Sequence, residues 1–309
     1  MSRARRCFFS VITPTYNRAS TLERAYESLC DQSFQDFEWI VVDDGSTDRT
    51  PNLVQAWQRQ ARFPIRYHWQ ENQHKKTAFN RGVAMAHGQF VVVLDSDDHL
   101  DTNALFVMAR AWKEIPANEH GRFVAITGLC ARPDGKIVGD MFPGDVIDTT
   151  AIDMTFRYRV RGEKFGCMRT DVLRRFPFPE NIPGYVPESV VWWAIARAGY
   201  KTRFVNQVFR VYHDTPDSLT RDKRNSSSQA VGLCLLARDT LVTCLPWFRY
   251  RPLEFILAAA RYTRFRLTVR HLGQYLPQAC RLAGFVPRLL VGVMFPLGLA
   301  LYVRDRVRV

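Results

Sequence analysis

Short apolar runs alternate with amphipathic stretches along the first half of the chain. Runs rich in β-branched and aromatic residues predict strands at 8–12, 37–42, 65–69 and 90–94. Apolar residues at helical spacing predict helices at 19–32, 50–62, 76–86 and 102–115. Because such alternation with short connections is typical of βαβ units, we predict an α/β fold around a largely parallel sheet.

Two of the predicted strands end abruptly at clusters of acidic residues. The acids are Asp95, Asp97 and Asp98 after one strand, and Asp43 and Asp44 after the other. Carboxyl ends of parallel strands meet at the sheet edge where open α/β sheets bind ligands. One cluster alone is equally compatible with a solvated turn. Two clusters on one edge favour a metal or polar-ligand site, since an unpaired buried carboxylate is costly.

The second half of the chain has weaker patterning. Strands are predicted at 123–128, 164–168, 201–205 and 208–212, with a hairpin-like turn at 132–136 leading into 137–140. A helical turn is predicted at 170–175 and a helix at 189–198. The region 142–161 is predicted to be loop.

Composition excludes several classes of protein. With 309 residues and an ordinary apolar fraction, the chain is expected to fold into one large domain or two smaller ones. Its seven cysteines are scattered without any CxxC pair, which argues against a disulfide framework or zinc module and fits a reducing compartment. The short apolar run after the basic N-terminus predicts a first strand rather than a signal peptide.

Positive charge is concentrated near the C-terminus. Residues 246–309 contain eleven arginines against two acids, so this stretch carries +9 of the net charge of +13. Interleaved aromatic and aliphatic residues suggest a membrane surface as the anionic partner. Nucleic acid is not predicted, because no nucleic-acid module is recognisable.

Helices are predicted within this tail at 231–245 and 253–272. Residues 289–303 lack charge but contain Pro296, and they fall short of the roughly 20 residues that a spanning helix needs. We therefore expect an interfacial or shallowly inserted segment. A true membrane span, or helices packed as core on the preceding domain, are the alternatives.

The motifs, taken in order, resemble those of family 2 glycosyltransferases of the GT-A fold. The matching stretches are 10–18, 42–48, 78–82 and 94–98, with 186–192 and 199–201 resembling the acceptor half. The resemblance implies a Rossmann-like mixed sheet flanked by helices. It places a catalytic domain at 1–225, with a donor half at 8–115 and an acceptor half at 116–225. Residues 226–309 then form a helical, basic, membrane-proximal tail.

The resemblance also implies an activity. Family members transfer a sugar, with inversion, from a nucleotide diphosphate donor, here expected to be a UDP-sugar. The acceptor would be a saccharide or lipid-linked saccharide in cell-surface polysaccharide or glycolipid assembly. A divalent metal, Mg²⁺ or Mn²⁺, is expected as cofactor. The expected location is cytoplasmic, peripheral on the inner face of the cytoplasmic membrane.

Donor-binding roles follow from the same resemblance. Pro14 and Tyr16 would lie on a loop lining the base, although ordinary turn chemistry also explains them. Asp44 would read the pyrimidine N–H, although an acid here can simply cap a helix. Asp95 would meet the ribose and contribute to the metal site, and Asp97 would hold the metal that bridges the phosphates.

Five further residues have weaker roles. Lys75 or Lys76 would meet the diphosphate. Asn80 would close the donor pocket or merely cap a turn. His213 would complete the metal site or be structural, and Asp98 is expected to support its neighbours. The segment 162–164, Gly-Glu-Lys, resembles a pattern in bacterial polysaccharide-type members, with no role that we can derive.

Glu188 is the candidate catalytic base. Inverting transfer requires a carboxylate that removes the acceptor hydroxyl proton during attack. Many family members have Glu-Asp at this position, but here Pro187 precedes a single acid. A Glu in the first turn also complements a helix dipole, which is the purely structural explanation.

Three other functions compete with this interpretation. A nucleotidyltransferase would need a Gly-rich first loop, and 13–17 contains no glycine. A non-catalytic sugar- or membrane-binding scaffold would not need the full set of acids. A dehydrogenase would carry GxGxxG in the first turn, which this chain lacks.

Overall fold

The structure is a computed structural model that describes residues 7–213 and 229–307. These residues form two compact units. The first comprises 7–151, 160–177 and 195–213, and the second comprises 152–159, 178–194 and 229–307. The domain boundary predicted at residue 225 lies outside the described residues and stays a prediction.

A mixed nine-stranded sheet forms the centre of the first unit. In chain order its strands are β1 Phe9–Thr15, β2 Phe37–Asp43, β3 Ile65–Trp69, β4 Phe90–Val93, β5 His99–Leu100, β6 Phe123–Ala131, β7 Val146–Thr149, β8 Lys164–Arg169 and β9 Lys201–Val211. Their spatial order is β3-β2-β1-β4-β8-β6-β9-β5, and β7 pairs with β9. Strands β1 to β4 are parallel, whereas β8 runs antiparallel to β4 and β6. The predicted mixed α/β architecture is confirmed.

Helices follow most of the strands. They are α1 Leu22–Cys30, α2 Thr50–Gln60, α3 His74–Met85, α4 Ala104–Lys113, α5 Ala151–Phe156, α6 Thr170–Leu173, α7 Ser189–Arg197, α8 Ala230–Val242, α9 Pro252–His271, α10 Phe285–Val293 and α11 Phe295–Val307. Short 3₁₀ helices occupy Ala117–Arg122, Leu245–Tyr250 and Gln278–Cys280.

The apolar runs form strands because both of their faces are covered. Every residue of β1 and β2 is buried. Helix α1 contributes Leu22, Ala25 and Leu29 to the same core, at the spacing of one helical face. Helix α3 approaches β1 closely because Gly82 lies directly against Ile12, where a Cβ would collide. This packing brings the first turn of α3 to the carboxyl edge of the sheet.

The prediction of a loop at 142–161 is wrong, because this region contains β7 and α5. Strand β7 has only four residues and a half-exposed pattern, so its sequence signal is weak. Tertiary pairing holds it in place, since Asp148 and Arg203 of β9 form an ion pair at 2.7 Å.

The two short strands predicted at 201–205 and 208–212 are one strand, β9. The polar residues that suggested a break are absorbed by a register shift, because Thr127 pairs with Phe204 but Leu129 pairs with Val208. Gly128 makes room for the carbonyl of Gln207 at this bulge. The hairpin-like turn predicted at 132–136 is confirmed, since the Arg132 N–H donates to the Lys136 carbonyl at 2.8 Å and an antiparallel bridge joins Ile137 to Ala131.

The apolar segment predicted at 289–303 is divided between α10 and α11, which meet at a 58° bend. Pro296 is the second residue of α11, where a helix tolerates the missing N–H. Within the second unit, α11 packs closely on α9 because Gly298 lies against Thr263. No single described helix is long and apolar enough to cross a membrane, whereas α10 and α11 together meet that criterion by length and composition.

Candidate active site

Arg210 organises the acidic residues that follow β4. This arginine lies on β9 and is 5% exposed. Its guanidinium is 3.2 Å from Asp95, 3.3 Å from Asp98 and 3.2 Å from Glu163. The ring of Phe165 lies 5.0 Å from the same guanidinium. A buried cation with three carboxylates around it explains how this edge tolerates so many acids.

Lys75 adds a second positive charge to this cluster. Its ammonium lies 2.6 Å from Asp95, and the lysine side chain is 44% exposed. Burial would raise the pKa of Asp95, but Lys75 and Arg210 together hold that pKa below its usual value. Asp95 is therefore an ionised carboxylate between two cations.

Asp98 has the structural surroundings expected of a supporting residue. It is buried, and its Oδ1 accepts the backbone N–H of His213 at 2.9 Å. Burial raises the pKa of Asp98 to about 7, against the opposing effects of Arg210 and of this hydrogen bond. Asp98 thus joins the turn after β4 to the end of β9.

Asp97 and His213 lie near each other at the rim of this cluster. His213 Nε2 and His99 Nδ1 form a hydrogen bond of 2.9 Å, and the backbone carbonyl of Asp97 accepts one from Arg24 at 2.6 Å. Burial lowers the pKa of His213, with Arg24 and His99 acting in the same direction and Asp97 opposing them. The carboxylate of Asp97 and the imidazole are therefore close enough to interact.

The acids at the end of β2 are held by neutral donors. Asp43 accepts hydrogen bonds from the N–H of Ser46 at 2.7 Å and the hydroxyl of Tyr67 at 2.7 Å. Asp44 is 4% exposed, and its Oδ1 accepts from Gln70 Nε2 at 2.8 Å and the Gln73 N–H at 2.9 Å. Burial, followed by the bond to Asp43, raises the pKa of Tyr67.

Two buried polar atoms beside Asp44 have no hydrogen-bond partner among the described residues. They are Gln70 Oε1 and Thr15 Oγ1. The backbone joins both residues to this site, since the Asp44 N–H donates to the Thr15 carbonyl at 2.8 Å and the Gln70 N–H to the Asp43 carbonyl at 2.9 Å. Unsatisfied buried polar atoms are uncommon and are costly unless a ligand or water completes them.

The loop after β1 is tied to the loop after β2. Asn17 adopts a left-handed conformation (φ 52°), and its Oδ1 accepts the Thr47 N–H at 2.8 Å. Tyr16 is 50% exposed beside this junction, as a base-lining residue would be. Pro14 is buried within β1, so its predicted position on the loop is wrong. Because β1 continues to Thr15, the loop begins later than its proline suggested.

The remaining predicted residues lie on a helix or immediately before one. Asn80 is half-buried on α3, and Lys76 is buried on the same helix. Glu188, in the second unit, is exposed and immediately precedes α7. Its carbonyl accepts from the N–H groups of Val191 and Trp192, at 3.0 and 3.1 Å. Its carboxylate is thus at a helix N-terminus, as predicted.

The donor atoms near Asp97 fit a divalent metal whose coordination is completed by phosphate. In the described part of the chain, no three His, Cys, Asp or Glu side chains are arranged to hold a metal by themselves. Mg²⁺-type sites commonly use one or two carboxylates together with substrate phosphates. Asp97, with Asp95 and His213 beside it, offers that kind of donor set. Metal ligation by these residues stays a prediction.

Arg210 and Gln70 are the main residues that sequence reasoning missed. Arg210 sits within the apolar run 208–212, where an isolated charge must find a buried partner. The acids after β4 were the available partners, so the isolated arginine in an apolar run could have indicated this pairing. Glu163, whose role the sequence does not indicate, pairs with Arg210 at 3.2 Å. The role of Gln70 had no comparable signal, because the position follows an ordinary strand.

The mixed sheet and the acid sites that end β2 and β4 define a GT-A type of α/β fold. A model of the family described as "Glycosyl transferase family 2" matches residues 10–128. The chain contains a family 2 glycosyltransferase domain.

One curated relative is the GalNAc(5)-diNAcBac-PP-undecaprenol beta-1,3-glucosyltransferase of Campylobacter jejuni. It is 31% identical over 208 residues, covering 66% of this chain and 63% of the relative. The chain therefore matches less than two thirds of the length of that enzyme.

Solved structures show the same fold. Staphylococcus aureus TarS in complex with UDP-GlcNAc has a TM-score of 0.59 at 20% identity, covering 85% of this chain and 73% of that chain. The mannosyltransferase PcManGT of Pyrobaculum calidifontis, in complex with GDP-Man and Mn²⁺, has a TM-score of 0.55 at 18% identity. That match covers 98% of this chain and 83% of the mannosyltransferase.

Proposed function

We propose that this chain is an inverting glycosyltransferase that uses a nucleoside diphosphate sugar, with UDP as the expected nucleotide. The acceptor is a saccharide or lipid-linked saccharide in cell-surface polysaccharide or glycolipid assembly. The observation that carries the proposal is the difference between two acid sites on one sheet edge. The site at β2 offers hydrogen-bond acceptors that suit a base, and the site at β4 combines carboxylates and cations that suit a ribose and a diphosphate. The names of the Campylobacter and Staphylococcus proteins support this chemistry.

Donor binding is assigned to residues of the first unit. Asp44 Oδ1 is held by the chain, which leaves Oδ2 to accept a base N–H, with the unpartnered Gln70 Oε1 beside it. Asp95 accepts from the ribose. Lys75 is exposed and flexible enough to turn from Asp95 towards the diphosphate.

A divalent cation, Mg²⁺ or Mn²⁺, would be held by Asp97, with Asp95 and His213 beside it. When bound, it offsets negative charge on the departing nucleoside diphosphate. The Mn²⁺ in the complex of the Pyrobaculum mannosyltransferase supports this assignment.

A screen of nucleotide sugars tests the donor and metal assignments. UDP-, GDP- and dTDP-sugars are titrated into the full chain with and without Mn²⁺, and binding is followed by calorimetry. Asp97→Ala should weaken Mn²⁺-dependent binding on the order of 100-fold, because a ligand carboxylate is lost. Asp36→Ala removes an exposed carboxylate elsewhere and should leave binding unchanged. Tight binding by Asp97→Ala would remove Asp97 from the metal site.

Glu188 is assigned as the base that takes the acceptor hydroxyl proton onto a carboxylate oxygen. Glu188→Gln should retain donor affinity and lose transfer by about 100-fold or more. Glu27→Gln, on the exposed face of α1, is the matched control. Turnover retained by Glu188→Gln would assign the proton transfer to another group.

The second unit is assigned to an anionic membrane surface, so that the chain works at the inner face of the cytoplasmic membrane. Four residues form an exposed apolar face on α10, namely Phe285, Val286, Leu289 and Val293. Basic residues on α10 and α11 complement anionic headgroups.

Vesicle sedimentation tests the membrane assignment. Phe285→Ser combined with Val293→Ser should weaken binding of the full chain to anionic vesicles at least about tenfold, because two exposed apolar side chains no longer insert. Phe106→Ser changes a 47% exposed phenylalanine on α4 and serves as control. Equal binding by both variants would exclude the α10 face as the membrane contact.

A further inference from the structure

An open cavity of about 590 Å³ is lined by residues of the second unit. Its size is within the range of ligand-binding sites, roughly 300–1,000 Å³. Half of its lining residues are arginines, and none is acidic. The lining consists of Tyr262, Arg266, Leu276, Arg281, Leu282 and Arg288, which we call the arginine basin.

The three basin arginines form no ion pair with any described acidic residue, unlike several other arginines of the same unit. Arg261 pairs with Glu254 at 2.7 Å, and Arg264 pairs with Asp305. Glu254 and Asp305 are thus already paired with arginines that lie outside the basin. All three arginines are exposed, so solvent screens their mutual repulsion, and a bound anion would relieve what remains of it.

Sequence and packing both bring these arginines together. Arg266 follows Tyr262 by one turn of α9, so both side chains lie on one face. The Tyr262 hydroxyl donates to the Cys280 carbonyl at 3.0 Å, which ties the short 3₁₀ helix to α9 and positions Arg281 next to it. Arg288 comes from the first turn of α10.

The chemistry of the basin is that of a phosphate site with an apolar border. Guanidinium groups bind phosphate oxygens in a bidentate manner and stay charged at any physiological pH. Leu276 and Leu282 supply apolar wall, and Arg288 shares α10 with the exposed apolar face described above. A phosphate held here would be next to a surface suited to lipid.

We propose that the arginine basin binds a phosphate or diphosphate group, either on a lipid headgroup or free in solution. The lipid source rests on the membrane association proposed above, whereas phosphate binding rests on the cavity itself.

Three probes distinguish the sources of phosphate in binding assays with the full chain. They are inorganic pyrophosphate, phosphatidylcholine vesicles carrying phosphatidylglycerol, and phosphatidylcholine vesicles carrying a polyprenyl diphosphate at matched charge. The basin variant combines Arg266→Gln, Arg281→Gln and Arg288→Gln. Each arginine should contribute about fivefold, and all three on the order of 100-fold. A control of equal charge combines Arg249→Gln, Arg270→Gln and Arg306→Gln, none of which lines the cavity.

A loss of probe binding that is confined to the basin variant supports the proposal. The probe whose binding falls most identifies the source of the phosphate. Equal loss in basin and control variants would mean diffuse charge attraction and overturn the proposal, as would no binding of any probe by the unmodified chain. Thermal unfolding checks that the basin variant folds. If the basin variant does not fold, Arg288→Gln alone is measured in its place. Pyrophosphate then competes with vesicles for binding, and the same outcomes apply.

Donor binding by the same protein, measured in parallel, separates this proposal from the transferase. Failure of the unmodified chain to bind any of the three phosphate probes, with donor binding intact, would count against the basin proposal alone. The reverse result would count against the transferase alone.

Discussion

The acids after β2 and those after β4 lie on the same sheet edge but are held by different kinds of partner. Asp43 and Asp44 receive hydrogen bonds from backbone N–H groups, a tyrosine hydroxyl and a glutamine amide. Asp95 and Asp98 instead face the guanidinium of Arg210. Neutral donors orient a carboxylate without cancelling its charge, so it can still attract an N–H. Cations cancel the charge, which allows several carboxylates to gather where a diphosphate would approach.

One short segment connects the two sites. The N–H of Gln73 donates to Asp44, and Lys75 pairs with Asp95. His74 lies between them with a φ of 69°, a left-handed conformation that favours glycine. The backbone therefore keeps a conformation that the histidine side chain opposes.

The largest effect should come from removing Arg210, the buried cation that faces the acids after β4. Arg210→Met leaves partly buried carboxylates without their counter-charge, so the free energy of unfolding should fall by about 3 kcal/mol. Arg161→Met, which breaks an exposed pair with Asp140, should cost less than about 1 kcal/mol. Urea unfolding followed by circular dichroism measures both. Similar losses would mean that the cluster does not depend on Arg210.

Asp44→Asn should affect binding more than stability. The asparagine Oδ1 can still accept from Gln70 and Gln73, so unfolding should change by less than about 1 kcal/mol. An amide NH₂ then replaces the oxygen offered to the base, and donor affinity should fall about 10- to 100-fold. Calorimetry with UDP and thermal unfolding separate the two quantities. Unchanged UDP affinity would place the base elsewhere.

Substitutions of His74 test the segment that joins the sites. His74→Val puts a β-branched residue into a left-handed conformation and should cost about 1–2 kcal/mol of stability. His74→Gly relieves the strain but increases the conformational entropy of the unfolded chain. The free energy of unfolding should therefore change by no more than about 1 kcal/mol. Thermal unfolding provides the comparison, and equal effects of valine and glycine would contradict the strained conformation.

Glu163→Gln should have the smallest effect. The Glu163 side chain is 51% exposed, and Arg210 keeps two other carboxylates. A loss below about 0.5 kcal/mol is expected in urea unfolding. A loss near that of Arg210→Met would show that Glu163, rather than Asp98, is the principal counter-charge.

Sequence reasoning succeeded where the signal was local. Apolar runs that end at acids correctly located β2 and β4, because strand burial and the carboxyl edge both follow from neighbouring residues. The pairing of Arg210 with Asp95 spans 115 positions, so no local pattern contains it. Strand β7 was missed for a related reason, since its four half-exposed residues depend on pairing with β9. Pro14 led to a loop being predicted where there is a strand, because a residue typical of turns is accommodated in the buried strand β1.

The bulge between β6 and β9 limits how this protein can change in length. Where β6 advances from Thr127 to Leu129, β9 advances from Phe204 to Val208. Side chains alternate along a strand, so loss of one residue within this stretch would turn Arg210 to the opposite face of the sheet. A two-residue deletion would keep Arg210 on the same face of the sheet but would remove the extra residues of the bulge, where Gln207 packs against Gly128. Insertions and deletions in this part of β9 should therefore be rarer among functional variants than substitutions at the same positions.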